Sequence, residues 1–160
     1  MTHSRLAVLC LFLLLGACGG DLTETDARFA TPERTVTTLL GTYGLNDMPQ
    51  EEIHARLAQR GAFELQDHDT WRACFVDIDR PGGDGMAGYV LGLLAAARDD
   101  IQYETIADRG YASPRADVRV VMRRGPDGAY RIVLGESVPD TVRRGLLEIE
   151  ENARNRPLPE

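Results

Sequence analysis

The chain has 160 residues, a formal net charge of −7 and a hydrophobic fraction of 43%. This length is sufficient for one domain with its own hydrophobic core. The acidic charge argues against nucleic acid as a partner and against electrostatic adhesion to anionic lipid, because both carry negative charge.

The first eighteen residues have the pattern of an export signal. His3 and Arg5 precede an unbroken apolar run, 6–15, and the chain then reads Gly-Ala-Cys at 16–18. The run is shorter than the ~20 apolar residues that a membrane-spanning helix needs. Small residues follow it rather than a stop-transfer block, which favours a signal peptide. An ordinary secretory signal and a buried core helix are the alternatives.

The sequence Leu-Gly-Ala-Cys at 15–18 resembles the lipobox of bacterial lipoproteins. The resemblance implies cleavage between Ala17 and Cys18 and a covalent lipid on the Cys18 thiol, and we expect no other cofactor. Two or three acyl chains anchor a protein stably, since each buried methylene contributes ~0.8 kcal/mol. Gly19, in place of an Asp after the lipidated cysteine, implies the outer membrane of a Gram-negative cell, with the domain facing the periplasm.

These features divide the chain into four predicted segments. Residues 1–17 are the lipoprotein signal peptide, and 18–30 are the lipidated cysteine and a flexible tether. Residues 31–155 form a single domain, and 156–160 are a frayed tail. The mature chain then retains Cys74 as its one free cysteine, so no intramolecular disulfide can form. Its apolar neighbours predict a buried, inert thiol.

Helical signals dominate the first half of the predicted domain. Thr31 and Pro32 open a helix that Gly44 ends, and Pro49 opens a second helix that Gly61 ends. Asp67 starts a third, short helix, for which a strand is the competing interpretation. A glycine-rich loop at 81–85 precedes a mostly buried helix over 85–98. In that helix, Gly88 and Gly92 are expected to leave room for close backbone approach.

The second half alternates with the period of strands. We predict strands over 101–107, 117–124 and 129–137, with a hairpin turn at 125–128. Pro139 starts a final helix with an apolar side formed by Val142, Leu146, Ile149 and Ala153. Helices followed by an antiparallel meander predict an α+β domain, in which N-terminal helices pack on a curved antiparallel sheet and a C-terminal helix is added.

This order of elements resembles the nuclear transport factor 2-like, or cystatin-like, fold. The features that carry the resemblance are the helix opening Thr-Pro-Glu at 31–33 and the late strands around 125–128, which end in Tyr-Arg-Ile-Val at 130–133. The resemblance implies a cone-shaped domain that often holds a pocket. In some relatives an acid and a tyrosine transfer a proton in that pocket.

By this resemblance, Tyr43, Tyr103 and Tyr130 are candidate pocket residues, and Asp67 and His68 are candidate acid or base groups. A general base must lie within hydrogen-bond distance of the proton that it removes. The alternative is that the tyrosines pack in the core and that Asp67 caps a helix.

No metal site is predicted. The chain has neither a His pair at i,i+4 nor a Cys-x-x-Cys motif. Asp77, Asp79 and Asp84 are close in sequence, but their spacing departs from the helix-loop-helix calcium pattern.

The leading hypothesis is therefore a lipid-anchored, non-enzymatic envelope domain that binds or scaffolds something in the periplasm. A small-molecule-binding or enzymatic cone-fold domain is the alternative. A third interpretation is an assembly factor whose C-terminal helix docks an envelope protein.

Overall fold

The computed structural model describes residues 24–59 and 63–155. The signal peptide, Cys18, Gly61 and the tail at 156–160 lie outside the described residues. The helices are α1 (Pro32–Gly41), α2 (Gln50–Ala58), α3 (His68–Ala73), α4 (Gly83–Ala96), α5 (Leu134–Ser137) and α6 (Asp140–Arg154). The strands are β1 (Gln102–Ile106), β2 (Arg109–Arg115), β3 (Val118–Arg124) and β4 (Tyr130–Ile132).

The four strands form one antiparallel sheet in the order β1-β2-β3-β4. Alternate residues point to one face of a strand. On the inner face, Ala112 pairs with Val120, and Met122 pairs with Ile132. All four of these side chains are fully buried. The sheet therefore has one apolar face that other elements must cover.

Helices α1 and α4 provide that cover. Helix α1 contacts β1, β2 and β4, whereas α4 contacts α1, α2 and β2. Val36, Leu39 and Leu40 of α1 are buried because positions three and four apart lie on one side of a helix. Thr31 caps α1 by accepting a hydrogen bond from the Arg34 amide at 3.2 Å. The predicted α+β class, with helices on an antiparallel sheet and an added C-terminal helix, is confirmed.

Strand β2 was not predicted. The sequence does not indicate a strand here because the segment contains Gly110 and Pro114, and both residue types are unfavourable in strands. Gly110 is required because a Cβ at this position would lie 2.5 Å from the ring of Pro32. Pro114 lies at a shift of register between Ala112 and Arg115, where the ladder of hydrogen bonds is interrupted.

The predicted strand over 129–137 is wrong beyond Ile132, because the chain turns into the short helix α5. The carboxylate of Asp77 accepts hydrogen bonds from the amides of Leu134 and Gly135, at 2.7 and 3.0 Å. These amides begin the helix and would otherwise lack partners. A residue more than fifty positions away thus decides the local structure, and the alternation of apolar residues could not reveal it.

The predicted boundary between tether and domain is also wrong. Residues 27–29 form a 3-10 turn, and the ring of Phe29 is only 2% exposed. The Thr25 hydroxyl donates a hydrogen bond to the Asp127 carbonyl at 2.9 Å. The domain therefore includes residues from Thr25 onward, because burial of an aromatic ring outweighs the polar character of its neighbours.

The predicted role of two glycines in the buried helix needs correction. A Cβ at Gly88 or Gly92 would have nothing within 4 Å, so these glycines do not serve close packing. The close approach is at Gly83, where a Cβ would lie 1.9 Å from the Ile78 carbonyl oxygen. The predicted short helix after Asp67 is confirmed as α3, His68–Ala73, and Phe75 beyond its end forms an isolated parallel bridge with Ile132.

Candidate functional site

Asp67 and His68 lie at the start of α3. The Asp67 carboxylate caps the helix by accepting a hydrogen bond from the Thr70 amide at 3.0 Å. Hydrogen bonds from Thr70 lower the pKa of Asp67 from its ordinary value. The ring of His68 packs on Trp71, with centroids 5.5 Å apart. Asp67 thus caps a helix, which was the alternative to its predicted role as an acid or base.

The three tyrosines are distributed over different elements. Tyr43 is half-buried, and burial raises its pKa. Tyr103 lies on the edge strand β1, and burial raises its pKa to about 12. Tyr130 is buried on β4, with the Arg124 guanidinium 5.8 Å from its ring centroid. Within the described residues, no hydrogen bond or ring contact joins any two of the five predicted pocket residues.

A cleft of about 470 Å³ lies between α6 and the segment that leads into α4. Its lining does not include any of the predicted pocket residues. Four apolar side chains line it, namely Ile78, Leu146, Ile149 and Ala153. Three of these residues were predicted to lie on the apolar side of the final helix, but the sequence did not indicate the cleft.

Charged groups around this cleft are largely paired with each other. Arg72 forms an ion pair with Asp79. Arg80 binds Asp77 at 2.7 Å, and Asp77 also holds the first amides of α5. These contacts therefore hold the segment before α4 against the rest of the domain. In the part of the chain that the structure describes, no three His, Cys, Asp or Glu residues are grouped to hold a metal ion.

Helix α6 closes the other side of the cleft, but it is only loosely covered. None of its 15 residues is buried. Leu146 packs over Gly85, and Leu147 packs over Gly82, which has a positive φ of 74°. A Cβ at Gly82 would lie 3.0 Å from Leu147, so the glycine allows the helix to approach. Ile149 is 67% exposed.

The remaining reactive group is Cys74, which is fully buried. Its thiol donates a hydrogen bond to the Thr70 carbonyl at 3.3 Å. Burial raises the pKa of the thiol to about 12, so the thiolate needed for nucleophilic attack does not form near neutral pH. The predicted burial of Cys74 is confirmed.

Comparison with known proteins adds no relative to this description. No family model, no curated protein and no solved structure matches the chain. Among residues 24–59 and 63–155, no helix combines the length and the apolar character that crossing a membrane requires.

Proposed function

We propose that this chain is a lipid-anchored protein of the cell envelope, whose folded domain binds protein rather than catalysing a reaction. The anchor is Cys18, and the expected location is the outer membrane, facing the periplasm. The sequence at 15–18 supports the anchor. The acidic net charge of −7 means that lipid, rather than electrostatic attraction to anionic headgroups, holds the protein at the membrane.

The main support for a binding role is the incompletely buried apolar side of helix α6. An amphipathic helix in a globular domain normally buries its apolar side. Here Leu146 is partly covered, whereas Ile149, one turn away along the cleft, is 67% exposed. An apolar surface bordered by charged residues is typical of a protein interaction site. We infer that α6 and the adjoining cleft are the docking surface of the domain.

The alternative is a ligand-binding or enzymatic pocket. The predicted pocket residues lie on different elements, so their positions do not support this alternative. Asp67 is engaged in a helix cap, and Tyr103 lies at the edge of the sheet. A proton-transfer site would require these groups to lie within hydrogen-bond distance of one substrate.

Metabolic labelling with palmitate tests the anchor. Wild-type protein should incorporate label, and Cys18→Ala should not. Cys74→Ala is the matched control, because it removes the other cysteine expected in the mature chain and should incorporate label as the wild type does. The anchor is refuted if wild-type protein takes up no label, or if Cys18→Ala takes up as much as the wild type.

A further inference from the structure

We propose that one end of the sheet faces the membrane and that the lipid surface is the partner of this end. The membrane-facing end consists of the β1–β2 turn, 107–108, and the β3–β4 turn, 125–129. The opposite end, at the β2–β3 turn, 116–117, then points away from the membrane. This inference rests on the proposed lipid anchor at Cys18, and it adds the orientation of the anchored domain.

The two turns of the membrane-facing end lie side by side. The amide of Arg124 donates a hydrogen bond to the carbonyl of Asp108 at 2.8 Å, which joins the end of β3 to the β1–β2 turn. Neighbouring strands are antiparallel, so the β2–β3 turn is at the other end of the sheet. Strand β3 spans Val118–Arg124, and a rise of ~3.3 Å per residue separates the two ends by ~20 Å.

The N-terminal segment of the domain is attached at the membrane-facing end. The Thr25 hydroxyl donates a hydrogen bond to the Asp127 carbonyl at 2.9 Å. Gly128 lies against the same hydroxyl and has no space for a side chain. Four residues later the ring of Phe29 is buried in the core. The chain therefore leaves the domain at Thr25, because release of a longer segment would expose the ring.

The chain between the anchor and this attachment point is short. Cys18 and Thr25 are seven positions apart, so the chain between them spans at most ~25 Å, whatever its path. A domain of roughly 130 residues has a radius of gyration of ~14 Å, which corresponds to a sphere ~36 Å across. If the opposite end of the sheet faced the membrane, Thr25 would be about that far from the lipid. The covalent chain excludes this orientation.

Attachment at Thr25, rather than at the start of α1, decides this outcome. If the domain began at Thr31, the chain from Cys18 would span up to ~45 Å, which exceeds the diameter of the domain. Every orientation would then be possible. The buried ring of Phe29 and the contact of Thr25 with Asp127 thus limit the orientation as well as setting the domain boundary.

The orientation also places the start of α6. Asp140, the first residue of this helix, lines the same hollow as Asp117 of the β2–β3 turn and Arg119 of β3. The start of α6 therefore lies towards the end of the sheet that points away from the membrane. A protein in the periplasm can reach it there without displacing lipid.

Fluorophores at the two ends of the sheet test the orientation. Asp108→Cys and Ala116→Cys are a matched pair, because both positions are exposed and both lie in turns between strands. The full-length protein needs no other change for labelling with a maleimide fluorophore. Cys74 is buried, and the thiol of Cys18 is expected to carry lipid. Each labelled protein is inserted into neutral phosphatidylcholine vesicles in which a fraction of the headgroups carries a nitroxide quencher.

Quenching by the headgroup nitroxide should be several-fold stronger at position 108 than at position 116, since the first position lies nearer the lipid. Thermal unfolding of both variants verifies that the domain remains folded. Equal quenching at the two positions, or stronger quenching at position 116, would overturn the inference.

A longer chain between the anchor and the domain provides the second arm. A Gly/Ser insertion of about 15 residues after Gly20 adds up to ~50 Å without altering the described domain. All orientations then become possible, so the ratio of quenching between positions 108 and 116 should fall towards one. A ratio that is unchanged by the insertion would show that the short chain does not set the orientation, and it would overturn the inference.

Failure of the anchor is distinguishable from failure of the orientation. If Cys18 carries no lipid, the wild-type protein reacts with the maleimide and takes up no palmitate, and both proposals are overturned. If palmitate is incorporated but positions 108 and 116 are quenched equally, only the orientation is overturned. The proposed lipid anchor and the docking role of α6 then stand.

Discussion

Replacing Phe29 with alanine tests whether the segment before α1 belongs to the folded domain. The ring is 2% exposed and lies in the 3-10 turn that precedes Thr31. The guanidinium carbons of Arg28 and Arg131 lie 5.4 and 5.8 Å from its centroid. The ring therefore joins the N-terminal segment both to the core and to β4.

The expected cost follows from burial. Truncation of a buried Phe to Ala typically lowers the free energy of unfolding by ~3–5 kcal/mol, which includes the cavity left behind. The segment is terminal and can detach, and this relaxation limits the loss. We therefore expect a decrease at the lower end, ~3 kcal/mol, together with a fall of roughly 6–12 °C in melting temperature.

Urea unfolding of the full-length protein, followed by circular dichroism, measures this change. Val76→Ala is the control, because Val76 is 57% exposed and its truncation should cost no more than ~0.5 kcal/mol. If Phe29→Ala changes the free energy of unfolding no more than Val76→Ala does, the segment is a tether and the revised domain boundary is wrong.

Two other predictions concern pH and backbone packing. A hydrogen bond from Arg131 lowers the pKa of Asp127 below its ordinary 3.8, so its stabilising contribution is present above about pH 4 and is lost as the pH falls through the folded-state pKa. Near neutral pH, Asp127→Asn should therefore have a lower free energy of unfolding than the wild type, measured by urea unfolding. This difference in free energy should become smaller as the pH is lowered, and a difference that does not change with pH would contradict the prediction. Gly83→Ala should destabilise strongly, because its Cβ would lie 1.9 Å from the Ile78 carbonyl oxygen. Gly88→Ala should instead raise the free energy of unfolding by up to ~1 kcal/mol. The reasoning is refuted if the two substitutions change the melting temperature equally in thermal unfolding.

Local signals in the sequence predicted the elements whose stabilising contacts are also local. Thr31 caps α1 through a residue three positions away, and Gly128, with a φ of 78°, completes the turn between β3 and β4. The final helix was likewise predicted from Pro139 and its apolar spacing. For these elements, neighbouring residues contain enough information to specify the backbone.

The candidate site was predicted less well. The pocket residues implied by the resemblance include Asp67 and Tyr103, and the structure places them on separate elements. The cleft beside α6 depends on how closely that helix approaches Gly82 and Gly85. A cluster of glycines at 82–85 was the available signal, but the sequence could not indicate which element packs on it.

Local patterns in the sequence were enough to predict the α+β class of the domain and most of its elements. The lipid anchor at Cys18 stays a prediction from the sequence. The tertiary structure decided that Arg109–Arg115 is a strand, that Leu134–Ser137 is a helix and that Ile149 stays exposed. The physical reason is the range of the interactions. Caps, turns and periodicity act between neighbours, whereas the contact of Asp77 with Leu134 and the packing of α6 join segments that are distant in the chain.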